Sequence, residues 1–125
     1  VLAVDTRLDS NGWQVYLNGG RVATGKPCLD WVKEGVERGA GEILLTSMSH
    51  DGTKNGFALE LNRMVSDAVQ VPVIASGGAG KMEHFAEVFV EGKADAALAA
   101  SVFHSGQIPI PELKAYLKKQ SILVR

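Results

Sequence analysis

Residues 72–85 read PVIASGGAGKMEHF, and their order decides the fold class. Residues 73–75 form a short, near-continuous apolar run, the pattern of a parallel strand covered on both faces. Ser76-Gly77-Gly78-Ala79-Gly80 breaks that run. Met82, Phe85, Ala86, Phe89 and Val90 then recur at helical spacings of three and four. Working outward, the same succession repeats. Apolar runs at residues 1–4, 43–45 and 96–100 read as further buried strands. Helical patterns follow at Leu29, Val32 and Val36, at Leu61, Met64, Val65 and Ala68, and at Leu113, Tyr116 and Leu117, the last opening at Pro111-Glu112. Four strand–helix alternations imply an α/β fold with parallel strands, either an open doubly wound sheet or part of a (β/α)8 barrel. Residues 9–25 depart from the rhythm. Asn11-Gly12 and Asn18-Gly19-Gly20 flank Trp13-Gln14-Val15-Tyr16-Leu17, which reads as a hairpin-like insertion in the first strand-to-helix loop.

Composition narrows the function classes. The chain has 125 residues, 13 Lys and Arg against 14 Asp and Glu, and a formal net charge of −1, so it is expected to form one domain. Balanced charge without a basic run argues against nucleic acid and against an acidic membrane surface as partners. No apolar run reaches the roughly 18 residues of a membrane span. Cys28 is the only cysteine; it excludes an internal disulfide and a cysteine-based zinc cage and suits a reducing, cytoplasmic setting. Its place at a helix start favours a lowered thiol pKa, yet no histidine is near in sequence, and a structural thiol is the better reading. His50, His84 and His104 lack zinc spacing, so neither a metal nor a cofactor is expected. His84 reads as helix surface or packing, and Trp13 and Trp31 as packing residues. The first residues already read as a buried strand, so the chain is expected to begin inside a longer protein.

Polar residues recur at the strand ends. Asp5, Thr46 with Ser47, Ser76 and Ser101 each follow an apolar run, which places them around the C-terminal rim where parallel α/β proteins bind ligands. The plainer reading of any one is a helix cap; four in register favour a rim. Ser76 to Gly80, between strand and helix, leaves amides free to cradle a phosphate, although neither the GxGxxG nor the GK[ST] pattern is met. Ala99-Ala100-Ser101 ends the fourth run, and residues 102–105 supply a short extra helix of the kind found at barrel phosphate sites. The polar loop His50-Asp51-Gly52-Thr53-Lys54-Asn55-Gly56 suits acid–base work and phosphate contact at the same rim; Asp51-Gly52 alone is a turn.

The strings GAGEILLTSMSHDGTKNGF (39–57), PVIASGGAGKMEHF (72–85) and ADAALAASVFH (94–104), with LAVDTR at the start, resemble the C-terminal half of the cyclase subunit of imidazole glycerol phosphate synthase, a histidine-biosynthesis enzyme. The resemblance covers essentially the whole chain. It implies a (β/α)4 half of a TIM (β/α)8 barrel, strands five to eight. The activity it implies uses ammonia from a glutaminase partner to convert the linear phosphoribulosyl formimino aminoimidazole carboxamide ribotide to imidazole glycerol phosphate and aminoimidazole carboxamide ribotide. Asp5 matches the family's strand-five general acid/base and Asp51 an assisting carboxylate. Gly52, Ser76, Gly77, Gly78, Ala100 and Ser101 match its second phosphate site, Thr46 a substrate contact, and Glu42 a charged residue of the ammonia gate; for Glu42 a plain surface carboxylate is the alternative. Ser49 departs from the family, which often has an acidic or amide residue there. The other catalytic Asp and the other phosphate site belong to strands one to four, so this chain alone is expected to be inactive and to seek either an N-terminal half-barrel or a second copy. Two alternatives stand beside this reading. One is a catalytically incompetent, self-associating half-barrel that binds phosphate; the other is half of the sister phosphoribosylformimino isomerase, which shares the barrel and the SGG loop but needs no ammonia.

Overall fold

The computed structural model describes residues 1–125. Six strands, β1 (Leu2–Asp9), β2 (Gly12–Leu17), β3 (Val22–Pro27), β4 (Ile43–Ser47), β5 (Val73–Ser76) and β6 (Ala96–Leu98), form one sheet in the order β3-β2-β1-β4-β5-β6. The neighbours β1, β4, β5 and β6 run parallel. Five helices connect or follow them: α1 (Cys28–Glu37), α2 (Leu59–Ala68), α3 (Met82–Val90), the short α4 (Ser101–His104) and α5 (Ile110–Lys119).

Residues 9–25 form antiparallel strands that join the sheet. β1 continues past Val4 to Asp9 because β2 folds back and pairs with it antiparallel, Asp5 opposite Tyr16 and Asp9 opposite Gly12. β3 then pairs antiparallel with β2, with a register shift between Gln14 and Tyr16. Gly12 carries the turn at φ +94°, a conformation L side chains rarely adopt. Asp5 therefore lies within a strand rather than after one.

Alternation along the parallel strands sorts the sheet into two unlike faces. Val4, Thr6, Ile43, Leu45, Ser47, Val73 and Ala75 are buried and pack against helices. One core joins β1, β4 and β5 to α1 and α2 through Val32, Leu61 and Val65. A second joins Ala75 to Phe85, Val88, Val102, Leu113 and Leu117 of α3, α4 and α5. On the opposite face Asp5, Leu44, Thr46 and Ile74 are half-buried and Ala3, Ala96 and Leu98 exposed. Parallel sheets are ordinarily covered on both sides. Helices on one face of a parallel core, with an uncovered and largely apolar row on the other, are the arrangement of a (β/α)4 half-barrel seen from its lumen.

Candidate functional site

Strand register fixes the rim. Asp5 pairs with Thr46, Thr46 with Ser76 and Ser76 with Leu98, so Asp5, Thr46 and Ser76 occupy one transverse row at the C-terminal ends, neighbours about 4.8 Å apart in the pairing direction. The fourth member of that row is Leu98, not Ser101. β6 stops at Leu98, and Ser101 opens α4 three residues later. The buried Thr6 hydroxyl donates to the Thr46 carbonyl at 2.9 Å and holds the first two members together. Glu42 is exposed immediately before β4, at the opposite end of the sheet.

A cleft of about 220 Å³ opens beside this row. Asp51, Gly52, Lys54, Ser76, Gly77, Gly78, Ala79, Leu98, Ala99, Ala100 and Ser101 line it, which brings together seven of the candidate residues, all those after β4, β5 and β6 except Thr46. Asp5 lies apart, in a separate hollow with Tyr16, Asn18, Thr24, Lys26 and Trp31. The amides of Gly52, Gly77, Gly78, Ala79 and Ala100 donate to no backbone carbonyl, so several converging N–H groups remain for an acceptor in the cleft. Gly80, at the end of this loop, is not among them: its N–H donates to His84 Nδ1 at 3.0 Å. Lys54 supplies the cation of the lining and Asp51 its carboxylate.

Backbone packing shapes the two glycine loops. Gly77 at φ +96° and Gly78 at φ +112° take conformations that favour glycine, and a Cβ on Gly77 would stand 2.7 Å from the Ser47 carbonyl. A Cβ on Gly78 would collide with the Gly56 carbonyl, and one on Gly80 with the Lys54 carbonyl. The Gly56 amide donates to the Gly78 carbonyl at 2.8 Å. Two loops thus pack backbone against backbone, and only glycine allows the approach.

Behind the Asp51 loop is a polar pair that sequence reading did not find. Ser47 Oγ lies 2.7 Å from His50 Nδ1, and the Ser47 carbonyl accepts the amides of His50 and Asp51. Trp13 of β2 stacks on the His50 ring, centroids 6.0 Å apart, and the Ser49 hydroxyl accepts the Leu8 amide at 3.1 Å. The meander therefore braces the loop that carries Asp51. Trp13 has this role besides packing, and Ser49 makes a neutral hydrogen bond to β1. Burial holds the His50 imidazole below the ordinary histidine pKa. A Ser–His pair 2.7 Å apart resembles an activated nucleophile, but Ser47 is 1% exposed on the helix-facing side, out of reach of a substrate.

Cys28 is fully buried, and burial pushes its thiol up to about 12, which overrides any lowering by the helix start. No three His, Cys, Asp or Glu side chains gather in a way that holds a metal ion. No helix is long and apolar enough to cross a membrane.

Comparison with known proteins agrees with this architecture. Over all 125 residues the chain is 62% identical to the imidazole glycerol phosphate synthase subunit HisF of Bacteroides fragilis. It is 61% identical over the same length to the subunits of that name from Bacteroides thetaiotaomicron and Phocaeicola vulgatus. All of this chain is matched but 50% of each relative, so the chain spans about half the length of the relatives it matches. Residues 1–109 match the family described as histidine biosynthesis protein, and with that match over most of its length the chain belongs to the histidine biosynthesis protein family.

Proposed function

We propose that this chain is the C-terminal half, strands five to eight, of the ammonia-using cyclase of imidazole glycerol phosphate synthase. The observation that carries the reading is the cleft, where Gly52, Gly77, Gly78 and Ala100 present backbone N–H groups beside Ser76, Ser101 and Lys54. Converging amides with two hydroxyls and one ammonium suit the terminal phosphate of a sugar phosphate. The similarity to subunits named HisF over the whole chain supplies the reaction. Ammonia adds to a carbonyl carbon of the linear bisphosphate, water leaves, the bond to the aminoimidazole carboxamide ribotide breaks, and the imidazole ring of imidazole glycerol phosphate closes.

Each step moves protons to and from both faces of the substrate, work for two opposed carboxylates. Asp5 is one of them, facing the lumen from the middle of β1. Its counterpart comes from a second half-barrel that closes over the bare sheet face. Asp51, at the mouth of the cleft, assists near the bound phosphate, and Thr46 contacts the substrate between them. Glu42, at the far end of the sheet, gates ammonia delivered from a glutaminase partner docked there. The setting is the cytoplasm, and the complete enzyme is a lyase. Alone the chain is inactive, because one carboxylate and one phosphate anchor are absent from it.

The uncovered row of Ala3, Leu44, Ile74, Ala96 and Leu98 favours one further behaviour, association of two copies through the lumen face when no complementary half is present. The test of the cyclase reading is consumption of the linear bisphosphate by this chain alone and by an equimolar mixture with a separately made N-terminal half, with and without ammonium salt. Turnover only in the mixture and only with ammonium supports the cyclase reading. Ammonium-independent conversion of the phosphoribosyl isomer to the linear phosphoribulosyl compound would identify the sister isomerase instead, and turnover by the chain alone overturns the expected inactivity.

A further inference from the structure

His84 is 9% exposed at the third position of α3, and its role is not packing alone. Its Nδ1 accepts the Gly80 amide at 3.0 Å and the Lys81 amide at 3.2 Å. An imidazole nitrogen that accepts two N–H bonds carries no proton, so the hydrogen-bond network assigns the ring proton to Nε2. The same ring faces Gly56, where an added Cβ would stand 3.4 Å from Cδ2. His84 therefore holds the loop after β5 through two hydrogen bonds and lies beside the loop after β4.

Gly80 is the point where these contacts meet. Its amide is held by His84, its carbonyl accepts Gln107 Nε2 at 3.3 Å, and its Cα abuts the Lys54 carbonyl. Gln107 also accepts Lys54 Nζ at 3.3 Å. Fixing Gly80 thus fixes the path of Gly77 to Ala79 on one side and the backbone of Lys54 on the other. Beneath, Phe85 packs on Phe57 and Phe103 with centroids 5.4 and 5.6 Å away, which leaves α3 little freedom to drift.

We propose that His84 is the positioning residue of the cleft: it clamps the two glycine loops so that the amides of Gly77, Gly78 and Ala79 and the Lys54 ammonium converge on a phosphate dianion. This rests on the phosphate reading of the cleft. His84 touches no substrate itself; it acts through the Gly80 and Lys81 amides, and Gly80 in turn abuts the Lys54 backbone. An apolar residue of similar size orphans two amide donors and lets the loop relax. Asparagine restores the clamp, because its Oδ1 and the histidine Nδ1 are both bonded to Cγ and can accept the same amides.

The test is titration of the 125-residue chain with inorganic phosphate, followed by the amide NMR signals of Gly77, Gly78 and Ala79, for the wild type and for H84L, H84N and V88A. Val88 is buried in α3, in the core shared with Phe85, and its side chain has no acceptor for a loop amide, so V88A reports what loss of packing under α3 does with the His84 hydrogen bonds left in place. The expected result is phosphate affinity weakened about tenfold in H84L, the equivalent of losing one to two hydrogen bonds' worth of preorganisation. H84N and V88A stay within about threefold of wild type, a difference below the value of one such bond. Should H84L not fold, H84Q, whose acceptor sits one methylene further out, takes its place with the same expected loss. Equal weakening in V88A, or unchanged affinity in H84L, overturns the clamp while leaving the phosphate site standing. Absence of phosphate-induced shifts in the wild type removes the site itself, and the clamp with it.

Discussion

The Gly56 amide donates to the Gly78 carbonyl at 2.8 Å, and the Gly78 Cα in turn lies against the Gly56 carbonyl so closely that no Cβ fits between them. This single contact joins the loop after β4 to the loop after β5 and so builds the floor of the cleft. Gly78→Ala forces both a positive φ and a backbone collision, and is expected to cost about 3 kcal/mol in urea unfolding. Gly52→Ala, at φ +77° with nothing within 4 Å of its Cβ, is expected to cost about 1 kcal/mol from backbone conformation alone. Equal costs would remove the close approach as the reason for glycine at 78.

His50 makes stability depend on pH in a defined direction. Burial lowers its pKa below 6.5 in the folded chain, so the unfolded chain takes up the proton first as pH falls. Its contribution is complete above about 6.5 and is lost between that value and the lower folded pKa, because there the unfolded state binds more protons. Unfolding free energy is thus expected to rise with pH across that window. His50→Asn is expected to flatten the rise, and an unchanged slope in the variant would assign it to other groups.

Cys28 is expected to be inert in the native state. With the thiol fully buried and its pKa raised to about 12, alkylation by iodoacetamide at pH 8 requires unfolding. Labelling followed by mass spectrometry is expected to track the unfolded fraction across a urea series. Rapid labelling without denaturant would show that α1 opens locally.

Most of the architecture was legible before the structure, because four apolar runs each ending in small or polar residues admit few arrangements other than parallel strands with crossover helices. Boundaries were less legible, and for a physical reason. Where β1 ends depends on the antiparallel partner β2, and the run VLAV stops at Val4 while the ladder goes on to Asp9. Cleft membership was readable at Gly52, Ser76, Gly77, Gly78, Ala100 and Ser101, since the strand-end loops that carry them share one rim and the family resemblance matches those positions to a phosphate site. The braces were not readable. His84 acts through the amides at 80 and 81 and His50 through Ser47 and Trp13, and Trp13 lies more than thirty positions along the chain from the His50 ring it stacks on. A histidine at the third position of a helix, four after the loop's last glycine, is the signal from which the amide contacts at 80 and 81 could have been read.

The bare lumen face predicts association. Leu44 and Ile74 lie side by side there, paired across β4 and β5, with Leu98 44% exposed nearby. Sedimentation of the chain alone is expected to show a dimer or larger species, and Ile74→Asp to shift it toward monomer with helix content unchanged. A wild-type monomer at high concentration would mean that the face tolerates water by itself.

On the proposed reading, Asp5 performs proton transfer in a cyclase assembled from two halves. The most direct measurement is the ammonium-dependent turnover of the linear bisphosphate by the equimolar mixture with an N-terminal half, with wild-type Asp5 against Asp5→Asn. The amide fits the same space, so assembly and substrate KM are expected to hold while kcat falls by about a thousandfold, within the range for loss of a general acid/base. An assembled mixture in which Asp5→Asn keeps the wild-type kcat would contradict the account.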